Sequence, residues 1–329
     1  MSYAKVVQPK VTSNLSWHDG PELAVKIYSV DAIGFDEALV SQSDPFVQPR
    51  CRMIKSEKKI RVGRMHMRIG KEIKTVYVKQ HNALSLGHRL ASLFVPSAAL
   101  RSLTGAVTLL RAGYATAKPV AAVEYRRRGV LIKSLYFSEE ISGAKTADTF
   151  WRENLSSLRG TDGYRKRRSF LRALAQLLSS LHGNRIYHND LKASNILIRN
   201  EQGPMERLFS LIDLQGLKPC FYISKRRRIK NLAQLARTLG LLLSRSEKLF
   251  FLKAYGEFVL FGQRKKRALL AAILKETKRQ TVRENQHALV VLHEQNEASP
   301  QSVAPWRGLA MDSVKTAGKE AERVSTNVS

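Results

Sequence analysis

Between Lys59 and Gln80, apolar and polar residues alternate in two runs, KIRVGRMHMRI and KTVYVKQ, joined by GKEI. A period of two sends successive side chains to opposite faces of a strand. With Gly70 as the turn residue, the stretch predicts a β-hairpin. The period then lengthens. In LGHRLASLFVPSAALRSLTGAVTLLRAG the apolar positions recur at helical spacing, Pro96 breaks the run and Gly113 caps it. PVAAVEY and GVLIKSLYF return to strand character, separated by Arg126–Arg128 and Gly129, and SEEISGAKT reads as a linker.

The second half is helical. From Tyr164 to His182, residues Phe170, Leu171, Leu174, Leu177, Leu178 and Leu181 form one apolar stripe that Gly183 ends. RLFSLIDLQGL is a short buried strand carrying one acid. KNLAQLARTLGLLL and SEKLFFLKAYGEFVL are core-type helices, and RKKRALLAAILKETKRQ is a basic amphipathic helix. That helix fits either a membrane interface or a cap on the larger lobe, and capping is the favoured reading. The pattern divides the chain into an N-terminal extension (1–50), a β-rich lobe (51–140), a helical lobe (141–283) and a polar tail (284–329) expected to be disordered. The fold class expected is α+β.

Composition adds limits. Two cysteines far apart, Cys51 and Cys220, exclude a disulfide framework or a zinc site of the CxxC type and suit buried thiols in a reducing compartment. The first twenty residues lack the apolar core of a signal peptide, and no run approaches the ~20 apolar residues of a membrane span. A cytoplasmic protein, peripheral at the inner membrane, is expected. The net charge of +29 calls for an anionic partner.

The chemistry is concentrated in YHNDLKASNIL. It fits His-x-Asp-Leu-x-x-x-Asn, a phosphoryl-transfer catalytic loop lying between a long helix and a strand. In that reading Asp190 orients and deprotonates an acceptor hydroxyl. Lys192 neutralises the migrating phosphoryl group, Asn195 offers its carbonyl oxygen to magnesium, and His188 braces the loop. Lys79, near the end of an alternating strand, is placed to meet ATP phosphates. Asp213 stands where a second magnesium ligand belongs. A structural turn would use Asp190 and Asn195 only for local capping.

These residues resemble the protein-kinase-like superfamily and, within it, the bacterial lipopolysaccharide kinases that act on a heptose or Kdo sugar of the inner core. The resemblance spans about residues 54–256. It rests on SEKKIRVGRMHMRIGKEIKTVYVKQ, FVPSAALRSLTGAVTLLRAG, IYHNDLKASNILI, LIDLQGL and KRRRIKNLAQLARTL followed by LFFLKAYGE. It implies a two-lobed fold with ATP in the cleft and magnesium on Asn195 and Asp213. Lys79 would lie against phosphate, and adenine would meet the backbone near Glu139 and Glu140. Three departures stand out. No G-x-G-x-x-G precedes Lys79, which leaves Arg61, Arg64 and Arg68 as candidate phosphate covers. No acid occurs between Glu72 and Glu124, so Lys79 lacks the usual helix glutamate and Ser102 takes its place. Asn189 replaces the usual Arg or Gly, so control by an activation-loop phosphate is not indicated.

The basic residues gather at Lys55–Lys74, Arg126–Arg128, Arg165–Arg168, Lys225–Lys230 and Arg264–Arg267. Near an anionic bilayer each close cation contributes roughly 1 kcal/mol. The partners expected are therefore a lipopolysaccharide core or other anionic glycolipid and the acidic inner-membrane surface. Nucleic acid is disfavoured, because most aromatics lie within apolar stripes and no recognition motif appears. An ATP- and magnesium-dependent sugar kinase is the expected activity. A Ser/Thr-type protein kinase and a weakly active kinase-fold scaffold that binds acidic lipid or RNA are the alternatives.

Overall fold

The computed structural model describes residues 10–17, 23–29, 44–83, 85–199, 209–256 and 263–297. The chain forms two compact units, Met1–Gln280 and Thr281–Ser329. The first holds everything that bears on the site.

Strands β1 (Lys10–Trp17), β2 (Leu23–Ser29), β3 (Cys51–Ser56), β4 (Ile60–Ile69) and β5 (Glu72–Asn82) come first. Helices α1 (Leu86–Ala91) and α2 (Ala98–Arg111) follow, then β6 (Pro119–Arg127) and β7 (Val130–Glu139). The strands make one antiparallel sheet of order β1-β2-β6-β7-β5-β4-β3. Both patterned hairpins form as the sequence predicts. Gly70 takes φ 62° at the β4–β5 turn, a left-handed value that glycine adopts without strain. Two strands, β1 and β2, lie inside the segment expected to be an extension, so the sheet reaches further toward the N-terminus than its sequence boundary.

The sheet is buried on both faces. On one, Ala99 and Leu103 of α2 pack on Ala122, with Tyr28, Leu100 and Tyr136 around them. On the other, Met65, Val76, Val78, Leu135 and Phe137 pack with Phe46. Gly63 belongs to this second face: a Cβ there would stand 2.7 Å from Cys51 Sγ and 3.2 Å from the Phe46 ring. Helix α2 starts where Pro96 ends the preceding turn. Ser97 caps it, its hydroxyl accepting from Leu100 N–H at 3.1 Å.

The larger lobe begins with β8 (Lys145–Thr146) and α3 (Ala147–Phe150), which runs into a π-helical turn, Trp151–Leu155. Helix α4 (Gly160–Gly183), strands β9 (Ile186–His188), β10 (Ile196–Ile198), β11 (Phe209–Leu211) and β12 (Leu217–Pro219), and helices α5 (Lys225–Thr238), α6 (Arg245–Ala254) and α7 (Gln263–Glu297) complete it. The leucine stripe of α4 is the core of this lobe. Phe170 stacks on Phe150 at 5.8 Å between ring centroids and meets Trp151 and Phe209 at 5.6 Å each. Leu269 and Ile273 bury one face of α7 in the same core, which is the capping role favoured for the basic helix. Helix α4 ends one residue beyond expectation, with Asn184 as its cap. The chain is still helical from Glu284 to Glu297, where a disordered tail was expected to start. The remainder of that expectation, residues 298–329, lies outside the described residues. Cys51 and Cys220 are free and half-buried rather than buried. Among the described residues no helix is long and apolar enough to cross a membrane.

One close approach joins the lobes. An added Cβ on Gly105 of α2 would come 2.7 Å from the carbonyl oxygen of Leu214 and 3.0 Å from its Cβ. Backbone cannot yield as a flexible side chain can. We expect Gly105→Ala to lower stability by about 1–3 kcal/mol by forcing α2 away from the segment that follows Asp213. Thermal denaturation of the two proteins checks this, and equal melting temperatures would refute the contact's importance.

Candidate active site

The cleft between the lobes is a cavity of about 520 Å³ whose lining includes Lys79, Tyr136, Glu139, Asn195, Leu197 and Asp213. Strand alternation explains the upper wall. Val76 and Val78 point into the Phe46 side of the sheet, so Tyr77 and Lys79 face the opposite way, into the cleft. The Lys79 ammonium donates to Asp213 Oδ1 at 2.7 Å, linking residues 134 positions apart in the chain.

Of the HNDLKASN loop residues, Asn195 lines the cavity, and Asp190 is tied to it through Asn195 rather than lining it itself. His188 is buried between two backbone groups: Nε2 meets the Ile212 carbonyl at 3.1 Å, and Nδ1 accepts from Asp190 N–H at 3.2 Å. Burial lowers its pKa, so it stays a neutral brace. Asn195 donates through Nδ2 to the Asp190 carbonyl at 2.8 Å and to Asp190 Oδ2 at 3.1 Å. Its side-chain oxygen, Oδ1, is the atom that remains to accept or ligate. Lys192 reaches the same Asp190 Oδ2 at 3.1 Å. The Asn195 backbone carbonyl accepts from Ile212 N–H at 3.0 Å, so this loop and the Asp213 segment are sewn together.

Helix α5 holds the loop from behind. Asn231 Nδ2 donates to the His188 carbonyl at 2.7 Å, and Gln234 Nε2 to the Asn189 carbonyl at 2.6 Å. Gln234 Oε1 accepts from Leu191 N–H at 3.0 Å, and the Thr238 hydroxyl from Ala193 N–H at 3.0 Å. Lys230 donates to Asn189 Oδ1 at 2.9 Å, which gives the unusual Asn189 a local role. These α5 residues were missed from sequence. Their spacing, 231-234-238, is one helix face, and polar residues there amid leucines were the available signal.

Asp213 adopts a left-handed backbone, φ 60° and ψ 56°, rare outside glycine and found where a site constrains the chain. Burial alone would raise its pKa. The Lys79 ammonium, by charge and hydrogen bond, outweighs that and holds the carboxyl below the usual range. Asp213 and Asn195 are two hard oxygen donors on one cavity wall, a donor set that fits magnesium arriving with nucleotide phosphates. Among the described residues no group of three or more His, Cys, Asp or Glu could hold a metal by itself.

The departures resolve as follows. Ser102 lines the cleft where the helix acid was sought, but its hydroxyl donates to Ala98 O at 2.9 Å; Asp213 is the partner of Lys79. Arg101 Nε donates to the Gln215 carbonyl at 3.2 Å, so α2 is tied to the Asp213 segment by backbone contact. Arg61 and Arg64, the candidate phosphate covers, are both engaged with carboxylates. Arg61 pairs with Asp44 at 2.8 Å, and Arg64 makes two bonds to Glu140, at 2.9 and 2.8 Å. The β3–β4 turn closes with Lys58 and Lys59 at its tip, held by reciprocal bonds between Glu57 and Ile60. Glu139 lines the cavity, but its amide already donates to the Lys118 carbonyl at 2.8 Å, and that of Glu140 to Thr75 O at 2.9 Å. Neither N–H is open to adenine. Other basic clusters are structural in part: Arg126 pairs with the buried Glu124 at 3.0 Å, and Arg167 with Glu247 at 3.0 Å.

Residues 47–255 match the model of the lipopolysaccharide kinase (Kdo/WaaP) family. Among solved structures, "WaaP in complex with acyl carrier protein" superposes with a TM-score of 0.52 at 21% identity, covering 75% of this chain and 97% of that one. The chain therefore shares the fold of that structure. No curated protein matches the chain.

The Lys79–Asp213 pair sets an electrostatic expectation. Because the folded Asp213 pKa is depressed, the pair adds stability above the unfolded carboxylate value, about 3.9. That contribution is lost as pH falls through the lower folded value. In Lys79→Met burial remains and the counter-charge is gone, so the Asp213 carboxyl should titrate above its ordinary value. Carbon-detected NMR titration of that carboxyl reads it directly; an unmoved pKa would contradict the account.

Proposed function

The chain belongs to the lipopolysaccharide kinase (Kdo/WaaP) family, and on that premise we propose that it transfers the γ-phosphoryl group of ATP to a heptose or Kdo hydroxyl of the lipopolysaccharide inner core. It is a kinase; the acceptor, the magnesium ion and the residue roles are the proposal. The observation that carries the reading is the meeting of Lys79, Asp213 and Asn195 on one cavity, with Asp190 bonded to Asn195.

The roles follow from chemistry. Phosphoryl transfer needs in-line positioning and compensation of phosphate charge more than covalent help from the protein. Asp190, hydrogen-bonded but still accessible, orients the acceptor hydroxyl and takes its proton. Lys192 beside it meets the charge of the group in flight. Lys79 exchanges part of its contact with Asp213 for the nucleotide phosphates. Asp213 and Asn195 Oδ1 would hold magnesium, which when bound neutralises the β and γ phosphates. Adenine would lie against the Tyr136 side of the cleft, near Ile141 and Ala144, which line the same cavity. The inner core carries acidic groups, in accord with the net charge of +29 and with association at the cytoplasmic side of the inner membrane.

A protein acceptor is the competing reading. Only eleven residues separate Asp213 from the start of α5 at Lys225, too few for a long activation segment. The test is transfer of labelled γ-phosphate from magnesium-ATP to underphosphorylated core lipopolysaccharide, to a generic protein mixture, or to no acceptor. Label is expected in the lipopolysaccharide alone. Asp190→Ala should reduce it by roughly a hundredfold or more while ATP binding persists. Asp213→Ala should weaken magnesium-ATP binding. Full activity of the Asp190 variant would overturn the mechanism, and label confined to protein would overturn the acceptor.

A further inference from the structure

Beyond the catalytic loop, one surface combines exposed aromatics with unbalanced positive charge. Phe221 is 92% exposed and Tyr222 64% exposed, side by side between β12 and α5. Folding does not bury them, and two adjacent exposed rings on a structured segment mark a contact surface. Six lysines and arginines fall between Lys218 and Lys230, and the sequence has no acid from Leu214 to Ser246. Four of the six, Lys225 to Arg228, occupy the first turn of α5, which contains no acid. Folding alone would favour acids there, because the helix dipole repels cations at its N-terminal end.

This surface is joined to the catalytic loop. Strand β12 pairs antiparallel with β9, Leu217 opposite His188 and Pro219 opposite Ile186. Cys220 N–H donates to the Arg185 carbonyl at 2.8 Å, and the Arg185 guanidinium lies 5.7 Å from the Phe221 ring centroid. Arg227 bridges back to Cys220 Sγ at 3.0 Å and lies over the Tyr187 ring at 5.3 Å. From Arg185 to Asp190 is five residues, roughly 16 Å if the chain were fully extended. That is an upper limit on the separation, so the aromatic pair lies within the span of a few sugar units from Asp190, and one oligosaccharide can reach both.

We propose that Phe221 and Tyr222, flanked by Lys218, Lys225 and Arg226, form an extended acceptor subsite for an acidic oligosaccharide. The inference rests on the core-sugar reading above and adds where the rest of the acceptor lies. A pyranose ring has an apolar C–H face that packs on an aromatic ring. The carboxylates of Kdo-type sugars, or phosphates, match the flanking cations, and arginine binds such groups through two parallel N–H bonds. Both features recognise one occupant, a sugar chain bearing negative charge. A bilayer surface would satisfy the cations too, and the experiment separates the two.

Calorimetry of the full-length protein with lipid-free, acid-bearing core oligosaccharide measures binding whether or not phosphate is transferred. Phe221→Ala and Tyr222→Ala are each expected to weaken it about fivefold to tenfold, and Arg226→Ala should make binding less sensitive to salt. In transfer assays the KM for the intact core should rise similarly, with kcat and the KM for ATP within twofold. An acceptor trimmed to one or two sugars should show no difference between wild type and variants. Unchanged oligosaccharide affinity in both aromatic variants would overturn the proposal. So would unchanged sugar binding alongside reduced binding to vesicles containing anionic lipid, since that assigns the surface to a bilayer. Failure of wild type to transfer phosphate to core sugar, with oligosaccharide binding still dependent on Phe221, would strike the enzymatic reading and leave the subsite standing.

Discussion

The ion pair between Lys79 and Asp213 is the constraint on which the site depends. One partner is fixed by the register of β5 in a seven-stranded sheet, the other by a left-handed turn after β11. Neither lobe contains both. A shift of β5 by one residue would turn Lys79 into the Phe46 core and remove the cation from the cleft. The flexible lysine stem tolerates small lobe movements, whereas the Asp213 backbone does not. The pair therefore ties the sheet side of the cleft to the Asp213 segment on the other.

In kinases generally a helix glutamate shares this lysine. Here the helix is held differently. Arg101 grips the Gln215 carbonyl, and Gly105 lets the α2 backbone lie on Leu214. Both contacts fall within two residues of Asp213, so α2 meets that segment through packing rather than charge. The nearest downstream acid, Glu124, is buried and engaged by Arg126 and by the Ser97 N–H at the entry to α2. It fixes where the helix begins. The division leaves Asp213 as the counter-charge that meets Lys79, which fits its depressed carboxyl pKa.

The catalytic loop and the β4–β5 hairpin were legible because local pattern alone defines them: strict alternation around Gly70, and a fixed spacing of His188, Asp190 and Asn195. The Lys79–Asp213 pairing was not, since it joins residues 134 apart and no periodicity encodes it. The fates of Arg61 and Arg64 were hidden for the same reason. An arginine in an alternating strand looks free until Asp44 or Glu140 is brought to it from outside the hairpin. Strands β1 and β2 were missed because strand character depends on the neighbour a segment finds, here β6, more than on its own composition.

Helix α5 shows how one element serves folding and the site with separate faces. Asn231, Gln234 and Thr238 recur at helical spacing and supply the bonds that hold the catalytic loop. Its leucines, 232 and 235, enter the large-lobe core. Both demands fix the helix from Asn231 onward, while Lys225 and Arg226 in the first turn stay exposed. Ser224 secures that turn by accepting from Arg227 N–H at 3.4 Å, a long and weak cap. A weak cap followed by four cations is a poor helix start by the electrostatics of the isolated chain. The start is tolerated because the downstream bonds overdetermine the helix, which frees the first turn to carry charge that folding does not require.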